Sequence, residues 1–286
     1  MRYSKAIITF ITHKNNPDNY ELISLIQGLK VLNKHKFALV VPENLDIANY
    51  VKIFNEHKVN FQVEYFGNNF FGTLDNYSRF LLSTEFYERF VEWEFLLIFH
   101  LDCFIFKDEL DYWCEKGYDY IAAPWFKGYD CLNKTDKLWL VGNGGLSLRK
   151  ISTFIEVLKR PKLRLSLLKS YEYHTLERNL LTKIFKIPYI IFIALGYKNN
   201  KKYYLQYPFV EDKFWSYIAT NIKNPINTIP LSDSIKFAFD GNPSILYKKN
   251  NCSLPFGCHA WFKYSDHNLE FWIPIIEKEC KISIEQ

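Results

Sequence analysis

Glu94-Phe95-Leu96-Leu97-Ile98-Phe99-His100-Leu101-Asp102-Cys103-Phe104-Ile105-Phe106 is apolar almost throughout, and after Glu94 only His100 and Asp102 interrupt it. Such a run predicts a central strand of a parallel sheet, buried on both faces. Open parallel sheets collect ligands outside the carboxyl ends of their strands. An ionised carboxylate is costly to desolvate there unless a cation or strong donors meet it. Asp102 therefore requires a partner, and a bound metal is the natural one.

Working outward from this run, apolar segments near 6–12, 37–41, 61–65, 95–101 and 119–123 predict further strands. Between them, 19–33, 45–57, 74–91 and 108–116 predict helices, with Pro17-Asp18 and Pro42-Glu43-Asn44 as start signals. This alternation implies an α/β fold, a Rossmann-type, mostly parallel sheet with helices on both faces. After about residue 124 the rhythm breaks, and Gly, Pro and aromatic residues predict loops at 126–137, 196–208 and 240–257. No internal repeat or low-complexity tract interrupts the chain.

With 286 residues, 48% hydrophobic and 23% charged, the composition is globular and long enough for one large domain over 1–286. Aromatic residues reach a high 18%; much of that is core, but aromatic rings also line sugar clefts. The cysteines at 103, 114, 131, 252, 258 and 280 form no C-x-x-C pair, which argues against zinc ribbons and redox motifs and fits free thiols in a reducing cytosol. Ala6-Ile7-Ile8-Thr9-Phe10-Ile11-Thr12 reads as a first strand rather than a signal peptide. Ile187 to Leu195, the longest apolar run, contains Pro188 and falls well short of the ~20 residues of a membrane-spanning helix. From Lys150 to Lys202 there are twelve Lys/Arg against three Glu, an excess of nine in a chain whose net charge is +5. Leu163, Leu165, Leu167, Leu168, Leu180, Leu181, Ile184 and Phe185 lie in the same stretch. Basic, apolar-rich helices fit an anionic membrane surface, with a solvated helical face as the plain alternative.

Six segments stand in a fixed order around Asp102: Asn76-Tyr77-Ser78-Arg79-Phe80-Leu81-Leu82, the strand run itself, Gly117-Tyr118-Asp119-Tyr120-Ile121-Ala122-Ala123-Pro124-Trp125, Val141-Gly142-Asn143-Gly144-Gly145-Leu146-Ser147-Leu148-Arg149, Val210-Glu211-Asp212-Lys213-Phe214-Trp215-Ser216, and Pro255-Phe256-Gly257-Cys258-His259-Ala260-Trp261. Together, over about 76–262, they resemble glycosyltransferases of the GT-A fold, with a donor site similar to that of glycogenin-like and bacterial galactosyltransferase-like enzymes. The resemblance implies that the last Asp of an Asp-x-Asp motif binds a divalent ion on the donor diphosphate. Here that triplet is His100-Leu101-Asp102, so only Asp102 matches. It also implies that a late His, His259, completes the site. A carboxylate, an imidazole and phosphate oxygens suit Mn²⁺ or Mg²⁺, and the imidazole tilts the choice toward Mn²⁺. A turn-capping Asp102 and a core His259 beside Trp261 are the plain alternatives. His100 reads as an outer donor, a ligand or, more simply, a core histidine.

In the resembling inverting enzymes an acid in a motif like Glu211-Asp212 removes the acceptor hydroxyl's proton. Asp212 is the first choice and Glu211 the second, while stabilisation of a helix N-terminus would explain one of them. Gly142-Asn143-Gly144-Gly145 lacks the Lys-Ser/Thr of a P-loop, and its three glycines permit positive φ and close backbone approach. By resemblance, Asn143 and Gly144 face the donor sugar; a tight hairpin turn would use the same residues. Arg79 is placed to meet the diphosphate or the base, or else to pair with Glu85 or Glu88. By fold analogy alone, Thr12 and His13 border the base pocket. Trp125 walls the sugar cleft or sits in the core.

The resemblance implies a cytoplasmic GT-A-like enzyme, peripheral at the membrane's inner face, with a nucleotide-sugar half (1–125) and an acceptor half (126–286) carrying a basic helical insertion at about 150–205. It would move sugar from a nucleotide-sugar donor to a glycan or lipid-linked acceptor in cell-surface polysaccharide assembly. A non-catalytic carbohydrate-binding protein that keeps the GT-A fold is the alternative. An RNA-binding protein would need a recognition motif, and the sequence shows none.

Overall fold

The computed structural model describes residues 5–127, 136–175, 180–194, 211–263, 266–281 and 283–284. The first half alternates as β1 (Ala6–Ile11), α1 (Asn19–Val31), β2 (Lys36–Pro42), α2 (Ala48–Glu56), β3 (Asn60–Phe66), α3 (Leu74–Leu81), α4 (Thr84–Glu88) and β4 (Phe95–Phe99). There follow β5 (Phe104–Ile105), α5 (Leu110–Glu115), β6 (Tyr120–Ala122), β7 (Pro124–Phe126), β8 (Leu138–Val141), β9 (Leu146–Lys150) and α6 (Ile151–Lys159). The rest comprises α7 (Leu167–Thr175), α8 (Leu180–Ala194), α9 (Glu211–Lys213, running into a π-helical turn at Phe214–Ile218), α10 (Leu231–Phe237), β10 (Ala238–Phe239), α11 (Pro243–Lys249), β11 (Gly257–Cys258) and α12 (Asp266–Cys280).

The fold is the expected α/β class. Its main sheet has the order β3-β2-β1-β4-β9-β6. β1 to β4 run parallel to one another, and β9 is antiparallel to both β4 and β6. All five residues of β4 are fully buried, so both of its faces are covered, as an uninterrupted apolar strand requires. Gly28 of α1 lies against the Phe99 ring, where an added Cβ would come within 3.1 Å of it. α1 begins with a capping box: Asp18 accepts from the Glu21 backbone N–H, and Glu21 accepts from that of Asp18.

Three expectations change. The run 94–106 is not one strand but breaks after Phe99, and His100 to Asp102 form a turn before β5 joins a different sheet. The helix over 74–91 divides at Ser83, which caps α4 through its own side chain. The loop over 240–257 contains α11, opened by Pro243 in the first helical turn, where its missing N–H costs nothing. The loops expected at 126–137 and 196–208 fall largely or wholly outside the described residues, as do Cys131, Val210 and the end of the basic insertion; the described cysteines are free thiols.

The break after Phe99 builds the site. In a second, three-stranded sheet, β11 pairs parallel with β10 and antiparallel with β5, and Cys258 stands opposite both Phe239 and Phe104. Asp240 and His259 directly follow paired residues, and Asp102 lies two residues before one. All three therefore emerge at one end of this small sheet. On the main sheet, Leu146 of β9 pairs with Phe99, and the His100 N–H donates to the Gly145 carbonyl at 2.9 Å. The antiparallel β9 thus brings the glycine loop to the end of β4.

Candidate active site

Asp102 is buried, with one carboxylate oxygen engaged and the other orphaned. Oδ2 lies 2.8 Å from Lys263 Nζ and 3.5 Å from His259 Nε2. Oδ1 is buried with no hydrogen-bond partner. Burial pushes the Asp102 carboxyl up, but the positive charges of His259 and Lys263 and the His100 ring more than offset it and hold the group at about 2. Burial alone would lower His259; the carboxylates of Asp102 and Asp240 outweigh it and raise the imidazole to about 9. Burial dominates at His100, drives that imidazole down to about 3 and so keeps it neutral.

In each imidazole one ring nitrogen is held by a neighbouring polar side chain. His259 Nδ1 is 3.0 Å from Asp240 Oδ1, while Asp240 Oδ2 accepts from the Trp125 indole N–H at 3.2 Å. His100 Nε2 is bonded to the Tyr77 hydroxyl. A ring nitrogen fixed by a carboxylate or hydroxyl partner is the usual setting of a metal-ligating histidine.

Three observations fit a divalent cation. One ligand atom from each of His100, Asp102 and His259 lies within 4.8 Å of the others. Asp102 Oδ1 lacks a partner. A Cβ on Gly145 would lie 2.3 Å from His259 Nε2 and 3.0 Å from His100 Nδ1, so glycine alone keeps the space between the two rings open. The donor set of two imidazoles and one carboxylate suits Mn²⁺ and other first-row ions better than Mg²⁺, which prefers oxygen.

Two cavities meet at Asp102. One, of about 380 Å³, is lined by Thr12, His13, Lys14, Glu21, Gly72 and Thr73 among others. The second, of about 430 Å³, is lined by Trp125, Asn143, Gly144, Asp212, Asp240 and His259 among others. Leu74, Tyr77, His100, Asp102 and Lys263 border both. Thr12, His13, Asn143, Gly144, Asp212 and Trp125 thus share one continuous depression with Asp102 and His259. Arg79 does not line either cavity; on the exposed surface it pairs with Asp75 at 3.2 Å, an i,i+4 contact, and with Asn76.

The glycine loop differs in detail from its expected conformation. Asn143 itself takes the positive φ, +94°, whereas Gly142, Gly144 and Gly145 do not. The glycines are needed for close approach: a Cβ would meet Trp125 at 2.3 Å from Gly142 and Glu211 at 2.2 Å from Gly144. Asn143 Oδ1 accepts from the N–H groups of Gly145 and Leu146 at 2.6 and 3.2 Å, and its buried Nδ2 has no hydrogen-bond partner. A donor held in this way is ready for a ligand oxygen.

The adjacent acids at 211 and 212 separate cleanly. Glu211 is buried and clasped by Arg149 in a two-pronged ion pair at 2.9 and 3.2 Å. Arg149, itself fully buried, also donates to the Tyr87 hydroxyl at 2.8 Å and to Ser147 Oγ at 2.9 Å. Half-buried Asp212 faces the second cavity and accepts from its neighbour's backbone N–H at 2.7 Å. Sequence reasoning missed Asp240, Tyr77, Lys263 and the role of Arg149. The only local signal was the Asp240-Gly241 turn after an apolar triplet.

Solved structures similar to this chain include several glycosyltransferases. Core-mannan synthase A from Aspergillus fumigatus, in an Mn/GDP form, is 9% identical over 54% of this chain at TM-score 0.41; this chain covers 61% of that one. Mouse xyloside xylosyltransferase 1 is 10% identical over 89% of this chain and 96% of that chain, with TM-score 0.48. The glycosyltransferase GlyE of Streptococcus pneumoniae TIGR4 is 13% identical over 98% of this chain and 64% of that chain, with TM-score 0.45. No curated protein matches the sequence. A family model described as a protein of unknown function, DUF5672, matches residues 60–259, a span holding every site residue from Tyr77 to His259, and the chain belongs to that family.

Proposed function

We propose that the chain is a nucleotide-sugar-dependent glycosyltransferase of GT-A type, inverting, with Asp212 as general base. The observation that carries this reading is the orphaned carboxylate oxygen of Asp102, flanked by two imidazoles at the junction of two cavities. That arrangement suits a diphosphate bridging a nucleoside on one side and a sugar on the other.

In this reading the nucleoside lies against Thr12 and His13, and the sugar lies in the cavity walled by Trp125. Asp102, His259 and His100 would hold Mn²⁺ or Mg²⁺, which supplies Lewis-acid neutralisation of the diphosphate oxygens. Lys263, which borders both cavities, adds a second positive charge for the leaving group. Asn143 donates its free Nδ2 hydrogens to a sugar hydroxyl. Asp212 takes the proton of the acceptor hydroxyl, whose oxygen attacks the anomeric carbon from the face opposite the diphosphate. The carbon–oxygen bond to the diphosphate breaks, its electron pair leaves with the nucleoside diphosphate, and the configuration inverts. Glu211, neutralised by Arg149, fixes α9 so that Asp212 is aimed at the acceptor. The acceptor is a glycan or lipid-linked sugar in cell-surface polysaccharide assembly, and the whole chain, 1–286, acts as one catalytic domain at the cytoplasmic side.

Asp212→Asn is expected to lower transfer by at least about 100-fold while nucleotide binding is kept, because a general base contributes about 10²–10⁴. Release of nucleoside diphosphate from donor and acceptor mixtures measures this, and near-wild-type turnover would remove Asp212 from the chemistry. One observation favours a second reading, a carbohydrate-binding protein without turnover: His100 stands where the motif carries its first acid. Glycan binding with no nucleotide binding would support that reading.

A further inference from the structure

Large apolar side chains are exposed unevenly over this molecule. Among the described residues, nine of the thirteen that are well exposed lie between 167 and 192. They include Leu180 at 72%, Leu181 at 67% and Phe185 at 79% exposure. On α8 they follow helical spacing. Leu180, Ile184, Ile187 and Ile191 form one stripe at i, i+4, i+7 and i+11, and Leu181, Phe185, Pro188 and Phe192 form the next. The two stripes make a single broad face, all of it exposed, while Ile190 on the other side is buried. A contiguous apolar face of this size on a folded chain marks an interaction surface.

Charge identifies the partner. Half-buried Lys183 and Lys186 lie off the apolar face of α8, on the stripe of Ile190, and Lys162 and Arg164 are exposed just before α7. The whole 150–202 stretch carries nine more basic than acidic residues. An exposed apolar face on a segment this rich in Lys and Arg complements acyl chains beneath anionic headgroups. A protein partner would need no such excess of one sign. The 15 described residues of α8 extend about 22 Å, and an apolar face on one side of a helix suits a helix lying in the interface. No helix among the described residues is long and apolar enough to cross a membrane.

We infer that α7 and α8 form a docking device that inserts the Leu181–Phe185 face into an anionic lipid bilayer. The device is fastened to the acceptor side of the site. Tyr217, five residues after Asp212 in the π-helical turn, donates its hydroxyl to Glu172 of α7 at 3.3 Å. Leu165, just before α7, bridges to Ile222 beyond the same turn. Docking would therefore hold the Asp212 element beside the membrane, which commits the transferase reading to a membrane-borne acceptor. That last step rests on the proposed function; the docking itself does not.

Co-sedimentation of the purified chain with phosphatidylcholine vesicles, with and without phosphatidylglycerol, tests it. The chain is expected to pellet with the anionic vesicles and to be released by salt. Leu181→Glu with Phe185→Glu is expected to weaken vesicle partition by at least about tenfold, since two inserted apolar groups become charges. Both side chains are exposed, so an unchanged melting temperature should accompany the loss. Asp212→Asn should pellet like the wild type, which separates failure of docking from failure of the transferase reading. Absence of pelleting, or pelleting that the double variant leaves unchanged, would overturn the inference. So would a dimer in sedimentation velocity that the double variant dissociates without any vesicle binding.

Discussion

At His259 two carboxylates meet one imidazole, and the chemistry of the site follows from that meeting. Asp102 faces Nε2, and Asp240 holds Nδ1 from behind. Losing the outer partner should loosen the ring without touching a ligand. Asp240→Asn is therefore expected to weaken Mn²⁺ binding by about 10- to 100-fold with the fold intact, as calorimetry would show; unchanged affinity would mean that Asp240 does not orient the ring. The same ring gives a pH signature. Its pKa of about 9 lies above the ordinary 6.5, so near pH 7 it carries a proton that an arriving cation must displace. Mn²⁺ affinity should climb by about tenfold per pH unit from 7 toward 9 and then level off, because ligands bind metal deprotonated. The metal-free protein should behave in the opposite sense. The stability contributed by this ring is complete below pH 6.5 and is lost as pH rises through about 9. Calorimetric titrations across that range check the sign, and a flat affinity profile would contradict it. Asp102 was legible from sequence because it interrupts an otherwise apolar run. Asp240 was not, since a single Asp before Gly in a turn-rich segment looks like any other turn.

At the scale of elements, the site depends on three joints: β4 to its following turn, β9 to α9, and the small sheet of β5, β10 and β11. The β9–α9 joint is the buried pair Arg149–Glu211. Removing one partner of such a pair strands the other charge in the interior, at a cost of about 3–5 kcal/mol. Glu211→Ala should therefore lower the stability measured by chemical denaturation by that amount, and a loss below 1 kcal/mol would show that water reaches Arg149. The parallel strands β1 to β4 were legible because each is a buried apolar run between helical segments. The break after Phe99 was not, because the sequence stays apolar through Leu101, Cys103 and Phe104 while the chain changes sheets. Two-residue strands such as β10 and β11 carry no periodicity, and the pairing of β11 with β5 joins Gly257 to Ile105 and Cys258 to Phe104 across most of the chain. The adjacent acids 211 and 212 were equally ambiguous, because the residue that tells them apart, Arg149, is distant in sequence.

Across the whole molecule, a large core surrounds the main sheet, and a second apolar cluster under α12 backs the small sheet. Trp261 belongs to the second cluster and donates its indole N–H to Ser24 of α1 at 2.8 Å, tying the two together beside the candidate metal ligands. Composition foretold the globular class and the aromatic-rich interior. The hydropathy of α8 announced a special surface, and the exposure of Phe185 gives that surface a direction. The continuity of the two cavities through Asp102 lay beyond any sequence pattern, because their walls come from segments as far apart as Ile11 and Lys263. A nucleoside diphosphate held through a divalent ion would bridge the two cavities. Thermal unfolding of the purified chain with UDP, GDP or CDP, each with Mn²⁺ and again with EDTA, tests it directly, because a ligand of the folded state raises the midpoint by mass action. A rise for one nucleotide that disappears in EDTA and in Asp102→Asn is expected, whereas no rise with any nucleotide would contradict a nucleotide site at Asp102.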